Sequence, residues 1–143
     1  MTVARGPSAA HSGTLAPPPR TLVPEMGPGL STAEAQKELR HLITTAAGLN
    51  LNCVIFQVRP ACDALYSSKL EPWSEYLTGQ MGKAPQPAWD PLAYAIAEAH
   101  KHGLELHAWF NPYRARYKTA KGSAAANHIS KTQSPLVKTY DGY

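Results

Sequence analysis

Between residues 31 and 114, helix and strand patterns alternate twice, which limits the fold classes that this chain can adopt. Two apolar runs of strand length, residues 51–58 and 104–110, each follow a segment with apolar residues at helical spacing. The first run is almost continuously apolar, which suits a strand of a parallel sheet that is covered on both faces. Parallel strands are joined through right-handed helical crossovers. The sequence therefore predicts an α/β fold built on a parallel sheet.

Local signals set the ends of the two helices. Ser31 and Glu34 have the spacing of a capping box, and Gly48 is a natural stop, so we expect a helix over residues 32–47. Asp90 followed by Pro91 is typical of a helix start. Gly103 ends this second helix before the next strand begins.

The two ends of the chain lack this pattern. Residues 1–30 contain six Pro and four Gly, a composition that cannot maintain helical or ladder hydrogen bonds. We expect a flexible, disordered leader over residues 1–30 and a folded domain over residues 31–143. Residues 115–143 carry no strong periodic pattern, and we expect only a short helical turn there, near residues 135–140.

Polar side chains stand at the ends of both predicted strands: Gln57, Arg59, His107, Asn111 and Arg114. The α/β barrels carry their ligand sites at the carboxyl ends of the strands, so we expect these groups to converge. Fixed amide and guanidinium donors suit ligands rich in hydroxyl or carboxylate oxygens. In the alternative interpretation, Arg59 simply pairs with Glu105 and His107 is a satisfied core histidine.

A long connection over residues 59–89 contains aromatic and acidic side chains. Glycoside cleavage requires two carboxyl groups that flank the scissile bond, and this loop offers Asp63, Glu71 and Glu75. Asp63 is the best local candidate for a catalytic acid. The aromatic residues suit either stacking on sugar rings or packing of the loop, and the carboxylates suit either chemistry or an ordinary solvated surface.

Charge and composition exclude several other classes of function. The net charge is +4, but five of the 14 Lys and Arg residues lie in residues 115–143, so no basic stripe predicts nucleic-acid binding. His107, His128 and the two cysteines lack paired-ligand spacing, and we predict neither a metal nor another cofactor. No apolar run of about 18 residues predicts a membrane span, and no secretory signal is recognisable.

Several motifs in order resemble the bacterial glycosyl hydrolase-like 10 domain family. They are NCVIFQVRP (52–60), DALYSS (63–68), EPWS (71–74), LTG (77–79), DPL (90–92), EAH (98–100), GLELHAWFNPYR (103–114) and ANH (126–128). The resemblance covers about residues 28–143. It implies a (β/α)8 barrel that hydrolyses glycosidic bonds, with a branch of the family acting on peptidoglycan glycan strands, and it suggests an envelope or extracellular location.

The resemblance also implies a set of site residues. Substrate binding would fall to Gln57, Arg59, Tyr66, Trp73, His107, Trp109, Asn111 and Arg114, with the two tryptophans as sugar platforms. Asp63 would be the local acid. The implied partner is therefore a carbohydrate, and the residues indicate neither a particular sugar nor an oligomeric state.

The chain departs from the family pattern in three places. The family's first strand, an Arg-x-Val-Trp type segment, has no match before Ser31, and Cys62 stands where a small Gly or Ala is usual. A later Asp-Asp-Tyr type motif is absent from these 143 residues. Because a complete barrel takes about 250 residues, we expect a partial barrel of about two βα units. The alternative function is a catalytically inactive fragment or a weak carbohydrate-binding module.

Overall fold

A computed structural model describes residues 21–22, 29–117, 120 and 122–132. These residues contain three strands, β1 (Thr21–Leu22), β2 (Cys53–Arg59) and β3 (Glu105–Phe110), which form a parallel sheet in the order β1-β2-β3. The same described residues contain four helices, α1 (Thr32–Gly48), α2 (Glu75–Thr78), α3 (Pro91–Lys101) and α4 (Ile129–Thr132). The predicted mixed α/β class with parallel strands is confirmed.

Both long helices begin at the predicted side-chain caps. The backbone N–H of Glu34 donates to the Ser31 hydroxyl at 3.3 Å, and the Glu34 carboxylate accepts from the Ser31 N–H at 2.9 Å, which completes the capping box. At the start of α3 the Asp90 carboxylate accepts from the Ala93 N–H at 3.0 Å, and Pro91 follows this cap as the first residue of the helix. These local bonds satisfy backbone donors that the helices leave unpaired.

The core lies between one face of the sheet and the two long helices. Val54, Phe56 and Val58 alternate along β2 and are almost fully buried. They pack in one cluster with apolar residues of the two helices and the following loop: Leu39, Ile43, Ala46, Leu65, Leu77, Ala95, Ala99 and Leu104. The opposite face of the sheet is thereby left to carry polar groups.

Residues 104–110 alternate apolar and more polar side chains, a pattern which predicts that Leu104, Leu106, Ala108 and Phe110 pack against helices, but strand β3 is less covered than that. Leu104 is buried and Leu106 is half-buried, but Ala108 and Phe110 are exposed instead of packing under helices. Within the described residues, β3 is the outermost strand of the sheet, and no further βα unit lies beside it. The expected helix-facing set is therefore buried only at its beginning.

The structure also differs from the predicted leader and adds two short helices. Thr21–Leu22 lie within residues 1–30, yet they pair in parallel with Cys53 and Val54 of β2. The helix α2 within the long connection, and α4 near the end, are each four residues long and were not predicted. The predicted turn near residues 135–140 lies outside the described residues, as do residues 1–20 and 23–28.

Within the ranges described above, no helix is both long enough and apolar enough to cross a bilayer. The longest of them, α1, has 17 residues and carries Glu34, Lys37, Glu38 and Arg40 in its first half.

Candidate functional site

The register of β2 and β3 brings the two predicted strand ends together. Gln57 pairs with Trp109, and after a local irregularity Arg59 pairs with Phe110. The N–H of Asn111 then donates to the carbonyl of Arg59 at 3.0 Å. The carboxyl ends of the two strands are thus joined, and the side chains that follow each strand share one edge of the sheet.

Arg59 lies at the centre of this edge and is held by several partners. Its Nε donates to the Glu71 carboxylate at 2.8 Å, and its Nη1 donates to the carbonyl of Asn111 at 2.6 Å. The hydrogen bonds that Arg59 donates to Glu71 raise the pKa of the Arg59 guanidinium, which stays charged. Arg59 therefore pairs with Glu71, not with Glu105, and it connects β2, the long loop and the residue after β3.

Cys62 lies against this arginine in an unusual backbone conformation. Its φ is +54°, a region that favours glycine because a Cβ is crowded there. The Nη2 of Arg59 donates to the Cys62 sulfur at 3.2 Å. Burial raises the pKa of the Cys62 thiol, and the neighbouring guanidinium opposes that shift. The positive φ gives a physical reason why a small residue suits this position.

Asn111 and Arg114 are used within the protein. The Asn111 Oδ1 accepts from the backbone N–H groups of Tyr113 at 3.3 Å and Arg114 at 3.1 Å, which forms a turn after β3. The Arg114 guanidinium donates to the Tyr117 hydroxyl at 2.8 Å and lies 4.5 Å from the centre of that ring. Both side chains therefore shape the loop in this structure.

Asp63 is enclosed in the interior instead of facing a cleft. Only 1% of the residue is exposed, and its carboxylate accepts from the Ala61 N–H at 2.9 Å and from the Ser74 hydroxyl. Burial raises the pKa of the Asp63 carboxyl, although these hydrogen bonds partly offset that effect. The side chain braces the turn that follows β2.

His128 reaches the same turn from the far end of the described chain. It is fully buried, its Nε2 lies 3.0 Å from the Ala61 carbonyl, and its Nδ1 lies 2.8 Å from the Ser130 hydroxyl. The Ser130 N–H donates to Nδ1 at 3.2 Å, so Nδ1 is an acceptor and Nε2 carries the proton. His128 thus anchors the segment before α4 to the loop after β2.

Tyr66 and Trp73 are half-buried and pack against the core cluster. Trp73 forms an isolated parallel bridge with Ala64, supported by a hydrogen bond from the Ser74 N–H to the Ala64 carbonyl at 2.9 Å. Tyr66 meets the Phe110 ring edge to face with centroids 6.2 Å apart. Trp73 therefore orders the long loop, whereas Tyr66 lies beside the end of β3.

The face of the sheet opposite the core carries the remaining predicted substrate-binding residues. His107 is not a core histidine: 59% of its side chain is exposed, and its Nε2 lies 3.2 Å from the Glu105 carboxylate. Trp109 is 43% exposed. The buried Nε2 of Gln57 has no hydrogen-bond partner among the described residues. These groups remain available for a ligand.

A cavity of about 400 Å³ lies elsewhere, between the start of α1 and the loop before α3. Its lining includes Ser31, Glu34, Leu77, Lys83 and Trp89. The predicted catalytic and substrate-binding residues do not line it. The strand-end surface, and not this cavity, therefore brings the predicted groups together.

Sequence reasoning missed the roles of Glu71, Ser74 and His128 in supporting the site. Glu71, Ser74 and His128 each lie more than ten residues from the residue that they support, so sequence spacing does not predict these contacts. Their presence in family motifs did indicate these residues: Glu71 and Ser74 lie in EPWS (71–74), and His128 lies in ANH (126–128).

Comparison with known proteins agrees with these motifs. Residues 23–141 match the family described as Glycosyl hydrolase-like 10. Glycosyl hydrolase YngK of Bacillus subtilis (strain 168) is 51% identical over 113 residues, which are 78% of this chain and 22% of YngK. Glycosyl hydrolase DigH of Escherichia coli (strain K12) is 44% identical over 87 residues, 61% of this chain and 19% of DigH.

The aligned regions thus span about a fifth of the length of these two relatives. The family match starts within the Pro-rich segment, a few residues before the predicted boundary at Ser31. The match covers most of the chain and includes the strand-end site, so the chain belongs to the glycosyl hydrolase-like 10 family.

Proposed function

We propose that this chain forms part of a (β/α)8-barrel glycosidase and that the ends of β2 and β3 form one wall of its carbohydrate cleft. The observation that carries the proposal is the register that places Gln57 beside Trp109 at the carboxyl end of the parallel sheet. Sites of such barrels lie at this end of the strands. Family membership and the names of the relatives support the glycosidase class.

Gln57 and Trp109 are the two groups best suited to contact a sugar. The Gln57 Nε2 is buried and unpartnered, while the residue as a whole is half-buried, so rotation of the side chain toward the surface would let the amide donate to a sugar hydroxyl and gain the missing partner. The exposed part of the Trp109 ring offers an apolar face that suits the C–H face of a sugar. Tyr66 and His107 extend this wall on either side.

Arg59, Asn111, Arg114 and Trp73 act as positioning residues in the proposed site. Each is already bound to another part of the protein, so its contribution is to fix the loops around the wall. Asp63 belongs with them, because an enclosed carboxyl group has no route to a scissile bond. The hydrolytic pair of carboxyl groups that cleavage requires is then supplied by other parts of the barrel.

Peptide-free peptidoglycan glycan strands are the first substrate to test, since the motif resemblance implies them. Binding is measured as a change in tryptophan fluorescence when soluble glycan strands are titrated into the 143-residue chain. We expect saturable binding that Trp109→Ala weakens by about tenfold, the loss of roughly 1.4 kcal/mol. Tyr113→Ala is the matched control, since Tyr113 is 93% exposed and lies just beyond the wall.

Two results would overturn the assignment of the wall. One is an absence of saturable binding to glycan strands and to other soluble oligosaccharides. The other is equal weakening by Trp109→Ala and by Tyr113→Ala, which would indicate a nonspecific aromatic contact.

A second candidate function is carbohydrate binding without hydrolysis. It is favoured by one observation: of the candidate acids, Asp63 is enclosed and Glu71 is held by Arg59. Measurement of new reducing ends in the same mixtures distinguishes the two functions. Saturable binding with no released ends supports the binding module, and ends that accumulate with time support the glycosidase.

A further inference from the structure

Three side chains with metal-binding atoms meet on the sheet face that lies away from the helices. Cys53 of β2 pairs directly with Glu105 of β3, and His107 follows two residues later on the same face. The Cys53 sulfur, a Glu105 carboxylate oxygen and a His107 ring nitrogen all lie within 4.8 Å of one another. The cluster is formed by register, because the two strands are far apart in the sequence.

We propose that Cys53, Glu105 and His107 bind a divalent transition-metal ion, with Zn²⁺ as the best match. Thiolate, carboxylate and imidazole are the three ligand types of zinc in proteins. Three protein ligands leave the fourth tetrahedral position for water or another ligand. The cluster adjoins the Gln57–Trp109 wall through His107, but metal binding by these three residues does not depend on carbohydrate binding.

The measured geometry fits a tetrahedral ion. The Nε2 of His107 lies 3.2 Å from the Oε2 of Glu105. Two ligand atoms about 2.0–2.1 Å from a tetrahedral zinc ion are separated by about 3.3 Å. The two atoms are therefore already spaced as ligands, and the sulfur, which lies within 4.8 Å of a ligand atom of each residue, must come to about 3.6 Å from the nitrogen when the ion binds.

The surroundings suit an ion that enters from solvent and is held by rigid elements. Cys53 is 2% exposed, whereas the Glu105 and His107 side chains are 77% and 59% exposed. Two ligands therefore face solvent and the third closes the site from within. All three stand on paired strands, which position ligands more accurately than loops do.

The simplest alternative is that Glu105 and His107 form an ordinary exposed pair and that Cys53 is a small buried hydrophobe. Such pairs contribute little to stability and carry no function. The alternative predicts no stoichiometric metal uptake. It also predicts that removing the cysteine has no effect on any residual metal binding.

Metal binding to the purified 143-residue chain tests the proposal without any sugar. Zn²⁺ affinity and stoichiometry are measured by equilibrium dialysis, and Co²⁺ is added separately to detect the absorption of a thiolate–cobalt bond. We expect one ion for each chain. Because even outer-shell changes cost about 10–100-fold in metal affinity, His107→Ala should weaken Zn²⁺ binding by at least about 100-fold.

One further ligand variant and two control variants identify the ligands. Cys53→Ser should abolish the thiolate–cobalt absorption, while Cys62→Ser, which alters the other buried cysteine, should retain it. His100→Ala removes an exposed histidine of α3 and should leave Zn²⁺ affinity unchanged. His107 is exposed, so its variant tests the site even where Cys53→Ser fails to fold.

Several outcomes would overturn the proposal. They are an absence of stoichiometric uptake by the wild-type chain, a wild-type Co²⁺ complex without thiolate absorption, and equal affinity of the wild-type and His107→Ala chains. None of them bears on the glycan titration, so failure of this site and failure of the carbohydrate wall are distinguishable.

Discussion

At the scale of single residues, the strand-end site separates into groups that are engaged and groups that are free. Arg59 is bound by Glu71 and by the carbonyl of Asn111, so its charge is neutralised before any ligand arrives. Gln57 and Trp109 retain unused binding capacity. An arginine at a strand end thus indicates a site, but its partners decide whether it binds a ligand or fixes the wall.

The buried Asp63 carboxyl provides a prediction on pH dependence. Its pKa is raised above its ordinary value of 3.8, chiefly by burial. The folded state therefore binds more protons than the unfolded state between the two pKa values, and stability falls as the pH rises through that window. Each unit by which the pKa is raised costs about 1.4 kcal/mol of stability above the window.

We expect Asp63→Asn to remove this loss, because the amide keeps a hydrogen-bond acceptor without the buried charge. The free energy of unfolding of both proteins is measured by urea denaturation from acidic to neutral pH. The variant should gain stability relative to the wild type as the pH rises. A difference that stays constant with pH, or that changes in the opposite direction, would show that the raised pKa of Asp63 does not contribute.

At the scale of elements, caps and packing make separate contributions to the two helices. The ends of α1 and α3 are set by bonds between neighbours in the sequence, whereas their inner faces are set by contact with β2. This difference explains why helix boundaries were predicted well and why the extent of burial along β3 was not. The cap is local, but burial depends on which elements lie alongside.

The cap of α1 gives a prediction at this scale. Ser31→Ala removes the acceptor of the Glu34 N–H and half of the capping box. We expect the free energy of unfolding to fall by about 1 kcal/mol, within a range of roughly 0.5–2 kcal/mol. Ser123→Ala, in an exposed loop, is the control and should change stability by less than about 0.5 kcal/mol.

Thermal and urea unfolding monitored by circular dichroism provide the measurement. Equal stability of Ser31→Ala and Ser123→Ala would mean that the capping box does not limit the unfolding of α1.

For the molecule as a whole, the main feature of the described residues is a sheet edge that they leave unpaired and that carries exposed aromatic residues. In the described part of the chain β3 ends the sheet, and Trp109, Phe110 and Tyr113 are exposed at or just beyond it. Unpaired backbone groups and apolar side chains at an edge favour pairing with another chain. The same edge is where a barrel would add its next strand.

We therefore expect the 143-residue chain to self-associate as its concentration rises. Phe110→Lys places a charge at the edge and should weaken association by about tenfold or more, since burying a large apolar side chain contributes about 1.5–3 kcal/mol. Leu70→Lys is the matched control, because Leu70 is 87% exposed in the long loop. Sedimentation velocity over a range of concentrations gives the association constants.

Two observations would contradict the role of this edge. The wild-type chain could remain monomeric throughout the concentration range, or Leu70→Lys could weaken association as much as Phe110→Lys does.

The amino-acid sequence alone predicts the helix ends, the two main strands and their parallel α/β class. These features depend on caps, on Gly and Pro, and on apolar runs, all of which act between near neighbours. It also indicated the polar strand ends and the family motifs, and the family match confirms the motifs.

In contrast, the three-dimensional fold selects the partner of each polar group. It paired Arg59 with Glu71, buried Asp63 and brought His128 to the Ala61 carbonyl. It also joined Thr21–Leu22 to β2 and assembled Cys53, Glu105 and His107 on one face. These contacts connect residues that are distant in the chain, and their geometry arises from strand register and loop path, which local sequence patterns do not encode.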